Sequence, residues 1–284
     1  MSWGRILALF WLGAVVILAI FVEVFHAPLA YETHVDQILL TPSWSHWFGT
    51  DSLGRDLFAR LLAGAKISLG VGLIGSFLTF MIGFLWGAVT GWCGGWMDRV
   101  GMRITDLLLA VPSFALVAVL VFAVNSWLPL EDGVWKSFWG LALGIALTRW
   151  MNVARVTRSL IIASKPLPYV EASRALGVGD ARILWNHIRP NITGPLLVLF
   201  GLQIPSNILY ESFMSFIGIG VMAPQTSWGL LVQEGWRSLS AYPHTILGPS
   251  LVLFLTVWSL HVLMDGWRES SRRSRPLEFQ QLPS

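Results

Sequence analysis

Residues 67–92 read ISLGVGLIGSFLTFMIGFLWGAVTGW, a run without a single Asp, Glu, Lys or Arg. About 20 consecutive apolar residues suffice for an α-helix to cross the hydrocarbon of a bilayer, and a helix satisfies all its backbone hydrogen bonds where no water is present. The stretch therefore predicts a membrane-spanning helix. Working outward, the same pattern recurs at residues 6–25, 104–127, 138–156, 193–217 and 245–267. The expected fold is all-α: a polytopic membrane protein with six transmembrane helices. Composition agrees, with 55% hydrophobic and only 12% charged residues, against roughly 25% charged in a soluble domain. Sixteen Trp and sixteen Phe against four Tyr suit lipid-facing and interfacial positions. Cys93 is the one cysteine, which excludes an internal disulfide framework and a multi-cysteine metal site. A formal charge of +3, dispersed along the chain, gives no basis for binding nucleic acid.

Basic residues accumulate on the cytoplasmic side of membrane proteins. With the amino terminus inside, the inner set is Arg5, Arg99, Arg103, Arg155, Arg158, Lys165, Arg174, Arg182, Arg189, Arg268, Arg272, Arg273 and Arg275; the outer set is only Arg55, Arg60, Lys66, Lys136 and Arg237. Both termini are therefore expected inside. The first span lacks the short core and small-residue cleavage site of a secretory signal and reads as a retained anchor. Two units follow: residues 1–66 as anchor helix and external segment, and residues 67–284 as a five-helix core with an inner loop at about 157–190 and a tail. The external stretch runs from His26 to Lys66.

The inner loop is nowhere apolar for long enough to cross a membrane. Its residues 169–187 are helix-forming, interrupted by Gly177 and Gly179, and predict a short helix, a turn and a second short helix. Glu171 and Arg174, three apart, share a helix face, and Gly177 permits the positive φ that ends a helical turn. Taken alone, the segment also admits an amphipathic surface helix.

The loop sequence YVEASRALGVGDARILWNHIRPN, residues 169–191, resembles the cytoplasmic loop of the permeases of ATP-binding-cassette importers. Ser173 stands at the third position of that family's Glu-Ala-Ala, and Arg189 replaces the Leu before its proline. The resemblance implies a coupling loop comprising Tyr169, Glu171, Ala172, Arg174, Ala175, Gly177, His187 and Pro190, seated in a cleft of the ATPase. HWFGTDSLGRDLFARLLAGAKISL, residues 46–69, is similar to the segment before the second span in the C-type subunits of dipeptide, oligopeptide and nickel importers. Ala59 and Lys66 depart from the commoner Ser and Arg. In it Gly49 and Gly54 bracket Asp51, Arg55, Asp56 and Arg60. These charges suit a compact turn that docks a binding protein; equally, Asp51 and Arg55 could pair across a helix turn and do no more. ESFMSFIGIGVMAPQTSWGLL, residues 211–231, looks like the hallmark of the same peptide and nickel subfamily, and ARVTR (154–158) and RITDLLLAVP (103–112) extend the resemblance to residues 46–267.

Ionisable and polar groups within a membrane usually face a cavity or a partner. Arg149, Gln203, Asn207 and Glu211 are accordingly candidates for a translocation path. Helix rise places Glu211 roughly 27 Å from residue 193, near the outer interface, where water could hydrate it. Gln203, Pro205 and Asn207 lie nearer mid-depth, and Arg149 is expected to snorkel to the headgroups. Gly83, Gly87 and Gly91, four apart, predict close helix packing, as do Gly140 and Gly144. The Gly70, Gly72, Gly75 spacing of a dinucleotide fingerprint has no strand before it and is declined, and no phosphate-binding Gly-Lys-Ser/Thr loop exists. The six His show no ligand spacing, so no metal or cofactor is expected.

The resemblance implies a non-catalytic permease subunit in a bacterial plasma (inner) membrane, forming half of a pathway for dipeptides or oligopeptides. Implied partners are a second permease, two ATPase subunits and a periplasmic or extracellular solute-binding protein. The alternatives are a permease for nickel or another small solute, an intramembrane enzyme, for which no nucleophile elbow or metal pair is present, or an assembly subunit of a larger membrane complex.

Overall fold

The structure is a computed structural model and describes residues 3–25, 30–127, 133–221 and 225–273. His26, residues 222–224 of the third motif, and Arg275 lie outside the described residues. The helices are α1 (Trp3–Phe25), α2 (Leu57–Cys93), α3 (Gly95–Ala110), α4 (Ser113–Trp127), α5 (Val134–Ser164), α6 (Pro168–Ala175), α7 (Asp180–Arg182), α8 (Arg189–Phe216), α9 (Trp228–Ser238) and α10 (His244–Arg273), with a π-helical turn, Ile183–Ile188, joining α7 to α8. No β-strand occurs among the described residues.

α2 is the centre of the bundle and carries no Asp, Glu, Lys or Arg from Ile67 to Cys93. It begins ten residues before the span expected from hydropathy. The cause is local: the Asp56 carboxylate caps the helix by accepting from the Ala59 N–H at 2.8 Å, so the amphipathic turn before Ile67 is helical too. Among the described residues, four helical stretches are long and apolar enough to cross a membrane: Trp3–Phe21, Leu57–Cys93, Asp180–Phe216 and His244–Glu269. The expected span 104–127 is not one helix. It breaks at Val111–Pro112 into α3 and α4, bent by 97°, because proline has no N–H to donate and forces the residue before it out of the helical region; Val111 is accordingly extended, at φ −79°, ψ 134°. The span 138–156 lies within α5, which is long enough but carries Lys136, Arg149, Arg155 and Arg158. The loop likewise differs from a helix, turn and separate short helix: its second half runs through the π turn directly into α8.

Lipid tails are as apolar as leucine, so helices associate in a bilayer through close packing rather than through expulsion of water. The α2–α5 contact shows this. A Cβ at Gly83 would lie 2.5 Å from both the Trp150 carbonyl and Val153 Cβ; one at Gly87 would run into the Ala154 carbonyl and lie 2.8 Å from Thr157 Cβ; one at Gly91 would lie 3.1 Å from Arg158 Cα. Gly144 does the same for α4, where a Cβ would lie 2.8 Å from Val121. α1 packs along α10, joined by the Trp11 indole to Thr256 at 3.1 Å and by Arg5 to Glu269 at 3.0 Å.

Candidate functional site

The inner loop is built on a pinned helix. On one face of α6, Val170 and Ser173 are buried, Val170 among Ile161, Ile183, Ile188 and Ile192. Ser173 donates to the Tyr169 carbonyl at 2.7 Å, so serine in place of alanine fits without a stranded hydroxyl. The helix ends where Gly177 takes φ +74°, with Gly177 N–H donating to the Arg174 carbonyl and Val178 N–H to the Ser173 carbonyl, the paired bonds of a left-handed helix stop. Glu171, Ala172, Arg174, Ala175 and Gly177 are exposed, Tyr169 and His187 are half-buried, and Pro190 is exposed in the first turn of α8. Two cations brace the loop against the end of α2: Lys165 Nζ donates to the Trp92 carbonyl at 2.7 Å, and the Arg174 guanidinium lies 5.4 Å from the centre of the Trp92 ring. Arg189, where the family pattern has leucine, lies over Trp185 at 5.1 Å.

The expected path residues do not gather in one place. A cavity of about 390 Å³ lies beside the α3–α4 break, lined by residues 108–113, Leu116, Thr148, Arg149, Met151, Asn152 and Tyr210. Of the four path candidates only Arg149 reaches it. Its guanidinium does not snorkel outward: it donates to Ser206 Oγ at 2.7 Å and lies 4.9 Å from the centre of the Tyr210 ring. The short bond to α8 and the aromatic face hold the side chain inward. Gln203 and Asn207 are buried within the bundle, Asn207 donating to Ser76 Oγ at 2.9 Å. Glu211 is not hydrated. It is 0% exposed and receives the hydroxyls of Ser215 at 2.8 Å and Ser212 at 3.3 Å, because α9 closes over this end of α8.

At the opposite end from α6, the charges of residues 51–60 close on one another. Gly49 and Gly54 take φ +78° and +74°, and a Cβ on either would meet the carbonyl of Leu40 or His34. Between them Asp51 accepts from the Arg55 N–H at 3.0 Å, from Arg55 Nε at 2.7 Å and from Arg60 at 2.6 Å. Arg60 also forks onto Glu234 of α9. Asp51, Arg55 and Arg60 are 4%, 5% and 0% exposed, so these three charges face the interior of the protein. Nor do Asp51 and Arg55 pair across a helix turn: they sit in the non-helical turn before α2. Asp56, half-buried, caps α2 and meets His46 Nδ1 at 2.8 Å.

Sequence reasoning missed Glu234, Ser206, Tyr210 and Leu176. The first three lie far along the chain from the residues they meet. Leu176 was legible in part, as an apolar residue beside a helix-stopping glycine.

Residues 83–274 match the family described as binding-protein-dependent transport system inner membrane component. The oligopeptide transport system permease protein OppC of Bacillus subtilis (strain 168) is 36% identical over 263 residues, 91% of this chain and 83% of that one. The dipeptide transport system permease protein DppC of the same strain is 35% identical, covering 81% and 69%. The glutathione transport system permease protein GsiD of Pectobacterium atrosepticum is 34% identical, covering 83% and 75%. Among solved structures, an inward-facing conformation of the MetNI methionine ABC transporter shares the fold, with a TM-score of 0.61 at 17% identity, covering 78% of this chain and 98% of that one. A bundle centred on α2, a broken third span and a pinned, exposed inner helix thus coincide with family sequence over most of the chain, which belongs to the binding-protein-dependent transport system inner membrane components as an ATP-binding-cassette importer permease of the peptide-transport type.

Proposed function

We propose that this subunit forms half of a route for peptides across a bacterial inner membrane, that both of its termini are cytoplasmic, and that α6 takes up the motion of a partner ATPase. A second permease, two ATPase subunits and an external solute-binding protein complete the machine. The observation that carries the coupling reading is the free face of α6. Leu176 is 83% exposed, ringed by exposed Glu171, Ala172, Arg174 and Ala175, on a helix whose other face is locked into the bundle. A large apolar side chain held out on a rigid support fits a pocket in another protein. The oligopeptide, dipeptide and glutathione relatives support peptides as the cargo.

Leu176→Glu is the direct test, since an exposed residue can change without disturbing the fold. The variant is expected to reach the membrane at normal levels, and to lose co-purification with the ATPase subunits and peptide uptake by tenfold or more. Normal uptake would remove the role given to α6. Orientation has its own check, because Cys93 is exposed and follows Trp92, to which Lys165 of the inner loop is bonded. A membrane-impermeant maleimide is expected to label Cys93 in inside-out vesicles and to leave it unlabelled on intact spheroplasts. Labelling from the outside would invert the topology and sink the coupling role with it.

A further inference from the structure

The cavity beside the α3–α4 break presents donors and no acceptor charge. Arg149 stays protonated in any protein environment, and an uncompensated charge within a bilayer is costly. Other arginines among the described residues meet a carboxylate: Arg5 has Glu269, Arg55 and Arg60 have Asp51 and Glu234, Arg155 has Asp106, and Arg158 has Asp98. Arg149 has only a serine hydroxyl and an aromatic face, with no carboxylate in reach among the described residues.

Two further observations point into the same space. α4 is 15 residues long and starts at Ser113 on the cavity wall. Its first bonded N–H is that of Leu116, to the Pro112 carbonyl, so the N–H groups of Ser113, Phe114 and Ala115 have no acceptor within the helix and carry its positive end. The Tyr210 hydroxyl is buried near Ser113 on a residue only 9% exposed, and makes no hydrogen bond of normal geometry. Cation, helix terminus and phenol converge on a volume of about 390 Å³, within the range of small-molecule sites.

We infer that this cavity is a carboxylate station on the solute's route, with Arg149 and the amino end of α4 holding the carboxyl terminus of a peptide in transit and Tyr210 donating the third hydrogen bond. The guanidinium is a planar fork matched to two carboxylate oxygens. A broken membrane helix with its amino end on a cavity is a means of holding an anion at depth without a permanent counter-charge. The inference rests on the peptide-import reading above, and it makes Arg149 a residue that discriminates peptides by their end group.

The test is uptake by the complete importer, with its partner permease, ATPases and binding protein, reconstituted in phosphatidylcholine vesicles. The cargoes are trialanine and its carboxyl-terminal amide, and each variant is compared with wild type on the same cargo, so that the binding protein's own preference cancels. Arg149→Gln is expected to slow trialanine uptake roughly ten- to hundredfold, the worth of a charge-assisted hydrogen bond, and to slow the amide less than about twofold. Arg149→Lys, which keeps the charge and loses the fork, is expected to fall between and carries the test if the Gln variant does not assemble. Equal losses on both cargoes would make Arg149 structural and overturn the proposal. So would a loss seen only when phosphatidylglycerol is added, which would identify the anion as a lipid phosphate. Import of neither cargo by the wild type would instead bring down the peptide reading, and the carboxylate station with it.

Discussion

Arg60→Met is expected to lower the thermal stability of the purified permease by about 3–5 kcal/mol, the loss typical of stripping one partner from a buried ion pair. Arg60 is 0% exposed in the first turn of α2, and its guanidinium joins Asp51 of the external turn to Glu234 of α9. Methionine fills a similar volume, so the effect is not one of packing. It is one of charge: Asp51 keeps Arg55, but Glu234, only 24% exposed at its side chain, keeps no partner closer than Arg55 at 3.7 Å. Pairing Arg60→Met with Glu234→Leu removes the stranded carboxylate and is expected to recover about half of the loss. The measurement is thermal unfolding in detergent, followed by the intrinsic fluorescence of the sixteen Trp. A double variant no better than the single one would mean that Arg60 acts through shape alone.

Gly87→Leu is expected to prevent α2 from seating on α5, with little folded protein recovered from the membrane. Space at Gly87 is set by the Ala154 carbonyl and Thr157 Cβ, and a backbone carbonyl in mid-helix cannot swing away. Even Gly87→Ala requires the helices to part, at a cost of about 1–3 kcal/mol for overpacking. Gly13→Ala is the control. Nothing lies within 4 Å of a Cβ built there, and alanine is the better helix former by about 1 kcal/mol, so that variant is expected to be neutral or slightly more stable. If Gly87→Ala behaved like Gly13→Ala in the same unfolding assay, the close approach of α2 and α5 would not be what holds the bundle.

The two predictions concern features of different visibility. The Gly83, Gly87, Gly91 repeat announces a packing face because every fourth residue returns to the same side of a helix, and that holds wherever the partner comes from. Which helix would fill the groove was not legible. Arg60 was visible as one of four charges in a short external motif, but the reading of those charges as a docking surface required them to be exposed. Their burial depends on Glu234, 174 residues further on, and no local pattern carries that. The broken third span lies between these cases. Pro112 stood in plain view inside an apolar run, yet hydropathy averages over a window and treats proline as a mild interruption, whereas its missing N–H and its constraint on Val111 act at one bond.

By itself the chain of residues determined that this protein lives in a bilayer, that a short helix stops at Gly177, and which family its motifs match. These are properties of local composition and of turns such as the one at Gly177, and they do not depend on distant neighbours. Only the tertiary structure decided which polar groups are spent on one another and which remain open. It bonded the Asn207 amide nitrogen and the Glu211 carboxylate to serines, closed Arg60 between two carboxylates, and left Arg149 on a cavity wall with no carboxylate in reach among the described residues. The energy of a charge in a low-dielectric interior is set by what lies within a few ångströms of it, and for these side chains that is chosen by the packing of helices far apart in the sequence.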